Sequence, residues 1–506
     1  MQVVNTNPLT TGPLKTSKVT AGSRLTHGAS PNVRCAFILA ILSAMLLISA
    51  CAAEAQTESV LYNFTGGADG ASPQSKLTFY NGNLYGTTNS GGAGSGTVFE
   101  LSPNGSGGWS ETVLYNFCSL AGCTDGANPT DSYVMFDASG NLYGTAFAGG
   151  ANGDGVVFEL SPNGSSWTET VLYSFANSPD GANPVNGLIK DASGNLYGTT
   201  YNGGSAGNGT VFELTPSGSS WTEKVIYEMN SNYAGLVMDG AGNIYGTNWQ
   251  VAFKLSPNGS GGWKPSIISS FTAGTNPNGT LVLDSAGNLY GTTYATAGYG
   301  NVYKLSRGSN GKWTRTTVYA FGKSTPSHPL GGVVLDSAGN IYGTTTQGGL
   351  HQAGNVFELV SLGAGKYKFK AIQPFDGENG GQVLSSLILD SSGYIYGTGS
   401  VGGVDGYGVV FECNAYATAT TTTITSAPNP STQGEMVTFT ATVTPAPPDG
   451  ELITFEQLAQ VPLSGGKAVF QISTLPVGTT KVRAIYYGDF NFLPSTSSWI
   501  YQHVEQ

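Results

Sequence analysis

Charge is scarce in this chain: only 10% of its 506 residues are Asp, Glu, Lys or Arg. Acidic residues outnumber basic ones by 31 to 20, the formal charge is −11, and no basic patch occurs after the first 34 residues. That balance argues against nucleic acid or an anionic membrane surface as the main partner. Histidine is scarcer still, with four copies, of which His27 precedes the expected mature start and His503 lies near the C-terminus. His328 and His351 remain, and they form no Ser-His-Asp or metal-ligand spacing, so no catalytic group, metal or cofactor is assigned. Long apolar runs are almost absent too. The exception, Ala36 to Ala50, follows Lys15, Lys18, Arg24 and Arg34 and is too short to span a membrane comfortably. It has the length of a signal-peptide core. No stretch carries a helical period.

What is present is glycine, 74 residues of it, and aromatics at 11%, which exclude a disordered chain. They recur in order. Tyr-Gly-Thr begins at Tyr85, Tyr143, Tyr197, Tyr245, Tyr290, Tyr342 and Tyr396, at spacings of 45 to 58 residues. Most copies follow a short apolar run and a turn of the type Asp-x-x-Gly-Asn, replaced in the first by Asn81-Gly82, and precede a Gly-rich stretch and a Val-Phe-Glu-Leu-like run. A Trp and a last run such as Thr170 to Phe175 complete most units. Short β-branched and aromatic runs between turns read as four strands per unit. Seven such units predict a seven-bladed β-propeller. The chain leaves the pattern after Phe411-Glu412 without a fourth strand, while an unpartnered copy, Val60 to Phe64, stands before the first unit. The N-terminal strand is therefore expected to complete the seventh blade and hide both edges of the array.

The domain plan that follows is a targeting segment over 1–55, a propeller over 56–414, a Thr-rich linker over 415–423 and a β-sandwich over 424–506. Two processing sites compete. Ile48-Ser49-Ala50-Cys51 has the pattern of a lipobox, which would place a lipid on Cys51, and Ala53-Glu54-Ala55 has the pattern of an ordinary signal-peptidase site before Gln56. The lipobox is favoured, because it accounts for a Cys at the end of the apolar core. Cys118 and Cys123 lie close enough in one loop to form a disulfide after export. Cys413 stands where other units have Leu and reads as a core residue.

Two resemblances add to this reading. Gly-Asn-Leu-Tyr-Gly-Thr-Thr, the Gly-Gly after it, Gly-Thr-Val-Phe-Glu-Leu and Trp-Thr-Glu-x-Val-Leu-Tyr-x-Phe resemble the Gloeobacter/Verrucomicrobia (GloVer) tandem repeat of exported proteins. The likeness covers residues 57 to 413 and implies export and surface display without a defined activity. Pro428 to Ser431, Val437 to Val443 and Ala484 to Asp489 resemble the bacterial Ig-like (group 3) domain. With no Cys pair there, that sandwich must be held by hydrophobic burial alone.

The carboxylates recur in register, Asp137, Asp191, Asp239, Asp284, Asp336 and Asp390 in the turns and Glu100, Glu159, Glu213, Glu358 and Glu412 in the third strand. Groups repeated in near-identical surroundings suit a scaffold better than acid-base catalysis, which needs two groups with different environments. Gly149 to Gly155 faintly resembles a calcium loop, but one copy is weak evidence. Interest shifts to where the repeat fails. In the fourth unit Asn248-Trp249-Gln250 replaces the Gly-Gly loop, and the connection before it contains Tyr233. The fifth unit adds Tyr294 and Tyr299, and the third has Tyr201. Aromatic faces beside amides suit sugar or peptide recognition, so these five residues are the expected ligand site. The functional expectation is an exported, monomeric, noncatalytic binding or adhesion protein for carbohydrate or a cell-envelope protein, touching membrane only through a lipid on Cys51. The alternatives are an extracellular propeller enzyme acting on polysaccharide and a structural spacer.

Overall fold

The computed structural model describes residues 58–105, 108–229, 235–294, 298–323, 326–349, 351–416, 418–488 and 491–506. Over these residues the fold is all-β, and each Tyr-Gly-Thr unit forms one antiparallel sheet. The third unit is representative: Gly181–Lys190, Leu196–Gly203, Thr210–Ser217 and Ser220–Glu228 pair in chain order. Seven such sheets occur among the described residues. In the last of them the fourth position is taken by Glu58–Asn63, which pairs antiparallel with Val409–Asn414 in the register Glu58↔Cys413 to Asn63↔Val409. The first unit opens with Thr78–Tyr80 turning into Asn83–Ser90 through Asn81 and Gly82, both at positive φ as a two-residue hairpin turn requires.

Each letter of the Tyr-Gly-Thr motif has its own physical task. The Tyr hydroxyl donates to the turn Asp of its own unit, as in Tyr197 to Asp191 at 3.0 Å and Tyr245 to Asp239 at 2.9 Å. That Asp also accepts backbone N–H groups of its turn, those of Ser193 and Asn195 in the third unit, both at 2.9 Å. The Glu of the third strand joins the same network: Tyr342 donates to Glu358, which also pairs with Lys370 at 3.1 Å. The recurrent carboxylates therefore tie turns to strands.

The Gly is required by packing. A Cβ on Gly198 would lie 2.5 Å from the Phe212 ring, and one on Gly86 would lie 2.6 Å from Phe99. The missing side chain lets the buried aromatic of the third strand cross the second, and the ring is then met edge-on by the aromatic that ends a fourth strand, as Phe175 meets Phe212 at 5.1 Å.

The Thr links one unit to the next. Thr87 donates to Ser132 O at 3.0 Å, Thr145 to Asn186 O at 2.8 Å, and Thr292 to Gly331 O at 2.9 Å. Thr398, in the seventh unit, donates at 3.0 Å to Ser75 O of the first. Thr199 instead bonds within its own unit, to Val185 O, and buried Thr247 Oγ1 has no partner among the described residues.

The C-terminal segment buries Phe439, Ile453, Phe455 and Tyr486 between small sheets, with Thr421–Ala427 pairing to Val437–Thr444. The Thr-rich stretch expected as a linker is thus partly strand. Thr422 and Ile424 alternate inward, so the Thr run follows the period of a half-buried strand.

Candidate functional site

All seven units contribute residues to one cavity of about 760 Å³. Its wall is built from the segments leading into the first strand of each unit. Leu77, Val134, Leu188, Leu236, Leu281, Val333 and Leu387 mark the same buried position in the seven units. The residue just before that position is Gly187, Gly235 or Gly332 in three units and Thr280 or Ser386 in two. Small residues suit it, because neighbouring units approach closely there: the Gly235 N–H donates to Thr280 Oγ1 at 3.1 Å and the Gly332 N–H to Ser386 Oγ at 2.9 Å.

The first two units break this rule with Lys76 and Tyr133. The Lys76 ammonium lies 5.7 Å from the centre of the Tyr133 ring. That ring in turn covers Gly187, where a Cβ would lie 2.5 Å from it. Asp131, two residues before Tyr133, also lines the cavity. Among the described residues neither Lys76 nor Asp131 has a hydrogen bond or ion pair. Lys190 lines the wall as well, its ammonium 4.9 Å from the centre of the Tyr143 ring. Burial pushes the Asp131 carboxyl up to about 6 and the Tyr133 phenol up to about 12, and it holds the Lys76 ammonium below its ordinary value. Each of the three sits deep in the protein yet keeps some surface on open cavity space.

Two of the aromatic residues expected from the sequence reach the same cavity. Trp249 lines it and is 41% exposed, which puts the indole at its mouth. The turn that carries it is fastened by buried Asn248, whose side-chain oxygen accepts the N–H groups of Gln250 and Val251 at 3.0 and 2.8 Å. Tyr294 also lines the cavity, its N–H donating to Asn276 O at 3.0 Å and its ring 5.2 Å from the His328 ring. Tyr299 lies on another side of the same imidazole at 6.2 Å and is exposed, without lining the cavity. Tyr201 is half-buried and likewise does not line it. The structure therefore groups Trp249 and Tyr294 on the cavity and Tyr299 beside His328, and Tyr201 is not part of that group. Tyr233 and Cys51 lie outside the described residues. Cys118 and Cys123 are joined in a disulfide.

Sequence reading missed Lys76, Asp131, Tyr133 and His328. Aligning the units on the buried Leu or Val, one residue after the ring of small side chains, would have exposed the first and third as departures. Among the described residues no group of three or more His, Cys, Asp or Glu is arranged to hold a metal ion.

Taken together, these observations define an all-β tandem-repeat protein with an aromatic-rimmed cavity and an Ig-like C-terminal domain. The Gloeobacter/Verrucomicrobia repeat profile matches residues 106–252 and 248–454, and the chain belongs to that family. Residues 424–505 match the bacterial Ig-like domain of group 3. No curated protein matches the chain. Among solved structures it is similar to the extracellular domain of a one component system from B. thetaiotaomicron, at 12% identity and TM-score 0.46, covering 88% of this chain and 58% of that one. It is also similar to a polysaccharide lyase of the PL25 family, an ulvan lyase, at 13% identity and TM-score 0.45, covering 68% of this chain and 93% of that one. The chain thus spans little more than half of the B. thetaiotaomicron domain. Likenesses this distant have no bearing on ligand or activity.

Proposed function

We propose that this chain is an exported, noncatalytic binding protein whose seven sheets close into a β-propeller and whose ligand enters the central cavity past Trp249 and Tyr294. The observation that carries the reading is the single cavity with contributions from all seven units. Closure is supported by the pairing of Glu58–Asn63 with Val409–Asn414 and by the Thr398 bond to Ser75. A cavity of about 760 Å³ lies in the range that ligand sites usually occupy, roughly 300–1,000 Å³. Its Trp and Tyr faces beside Gln74, Asn186, Asn276 and Asn278 combine stacking with hydrogen bonding, as carbohydrate recognition requires.

Trp249→Ala is expected to weaken binding of a captured oligosaccharide by about tenfold, the loss of one stacking contact of about 1.4 kcal/mol. Melting should change little, because Trp249 is exposed and belongs to none of the buried core clusters. Trp167 packs against the buried cluster around Phe158, so its replacement should lower the melting temperature first. Equal affinity of wild type and Trp249→Ala would reject the mouth as the binding site.

The enzyme alternative draws on one observation, the Lys76, Asp131 and Tyr133 group in the same cavity. It predicts shortened products from a bound polysaccharide, whereas binding alone predicts recovery of the intact chain.

The proposal includes a lipid on Cys51 and a monomeric protein held at the cell surface, with the Ig-like domain as a spacer. Wild-type protein should then partition into detergent and sediment with membranes, and Cys51→Ser should release it. A mature N-terminus at Gln56, read by mass spectrometry, would contradict the anchor.

A further inference from the structure

The cavity wall has the opposite charge balance to the chain around it. The protein as a whole carries 31 acidic against 20 basic residues, yet the ionisable side chains on the wall that charge near neutral pH are two lysines and one aspartate, Lys76, Lys190 and Asp131. Lys76 stands where five of the seven units have Gly, Ser or Thr, so the repeat scaffold does not need an ammonium there. Nor is it neutralised, since no carboxylate or carbonyl pairs with it among the described residues, and it rests on the Tyr133 ring, which rests on Gly187. A buried ammonium without a counter-ion is costly unless something else supplies the negative charge.

We infer that the cavity takes an acidic saccharide, a sugar bearing a carboxylate or a sulfate, with its anionic group at Lys76 and its ring toward Trp249 and Tyr294. This rests on the binding reading above and names the class of ligand for the same site. Asp131, on the neighbouring unit, can accept hydrogen bonds from sugar hydroxyls. The amides of Gln74, Asn276 and Asn278 supply both donors and acceptors to the rest of a hydroxylated ring.

Calorimetric titration of the full chain with digalacturonate, a sulfated chondroitin disaccharide and neutral cellobiose tests the inference. The expected result is binding of one or both acidic sugars, with cellobiose at least tenfold weaker. The sugar that binds tells a carboxylate from a sulfate. Lys76→Met, which keeps the apolar stem, should lose about tenfold or more in affinity for the acidic sugar, as removal of a charge-assisted contact does. Should Lys76→Met lower the melting temperature, the wild type supplies the second test. Its affinity should fall as salt rises from low to physiological ionic strength, since salt screens the attraction between an anionic ligand and the positively charged wall. Cellobiose binding as tightly as the acidic sugars, or a salt-independent affinity, overturns the inference and leaves carbohydrate binding standing. No binding of any of the three sugars overturns both.

Discussion

Deleting Glu58 to Phe64 is expected to lower the melting temperature sharply or to drive the protein into aggregates, although it removes only seven residues from an end of the described chain. Those residues supply the outer strand of the seventh sheet, paired from Glu58↔Cys413 to Asn63↔Val409. Phe64 is fully buried and meets the Phe99 ring at 5.2 Å, in a cluster that joins Leu77, Leu84 and Leu101 of the first unit to Tyr396 and Val410 of the seventh. Emptying a core Phe site alone typically costs about 3–5 kcal/mol. Tyr62 donates to Asp69 at 3.1 Å, and the Asn63 side chain accepts the Val404 N–H at 3.0 Å, so polar contacts are lost as well. Without the strand, Val409–Asn414 becomes an open edge able to pair with another chain. Thermal unfolding with light scattering checks this outcome, and a deletion variant with unchanged melting and solution size would contradict it.

Stability should also fall as pH rises from about 4.5 to about 7. Glu111, Glu169 and Glu223 occupy equivalent places on the outer strands of the first three units, and each has one side-chain oxygen buried without a partner. Burial first, then the nearby charges of Asp69, Asp125 and Asp180, push these three carboxyls from an ordinary 4.5 up to about 7. The other groups facing them are Tyr62, Tyr115 and Tyr173, each of which donates to the Asp of its pair. A raised acid binds its proton more tightly when folded than when unfolded. Between the two values the folded state therefore holds more protons, and stability declines with increasing pH. The full shift would be worth about 3 kcal/mol per group. Solvent screening of these half-buried side chains reduces it to about 1 kcal/mol each. Asp69 and Asp125 are desolvated too, but hydrogen bonds from Thr65 and Tyr62, and from Ser119 and Tyr115, outweigh that and hold them below 3.8. Their contribution is lost only in stronger acid, below this window. Asp131, raised to about 6 by burial, acts in the same direction as the three glutamates. Melting should be higher at pH 5.5 than at pH 8, and replacing all three glutamates with Gln should flatten the profile. Equal or higher melting at pH 8 would contradict this account.

The repeat was legible because its strands are bounded by turns that chemistry dictates, as with the Asp191 carboxylate accepting the N–H groups of its own turn. The Gly of Tyr-Gly-Thr could be counted in the sequence but not explained there. Its reason is the Phe ring of a strand that follows it at variable distance, Phe212 for Gly198 and Phe99 for Gly86. Trp249 and Tyr294 stood out because they interrupt a pattern, and the same test applied one strand earlier would have found Lys76 and Tyr133. Only the structure shows that this position faces the cavity, which is what gives the two departures their meaning. Tyr201 shows the limit of reading a loop from the repeat: it stands at the place equivalent to Trp249 but lies within the strand Leu196–Gly203, and it does not line the cavity.

The most direct test of the closed ring uses the thiol already present in the seventh sheet. Cys413 is opposite Glu58 in the strand register, 355 residues away along the chain. Residues facing each other across antiparallel strands have Cα atoms about 4.5–5.5 Å apart, within reach of a disulfide. In Glu58→Cys protein, mild oxidation should join position 58 to Cys413 within one molecule, detected as a linked peptide pair by mass spectrometry of the monomer. Free thiols at both positions, or links formed only between molecules, would contradict the closed propeller and with it the cavity on which the functional reading stands.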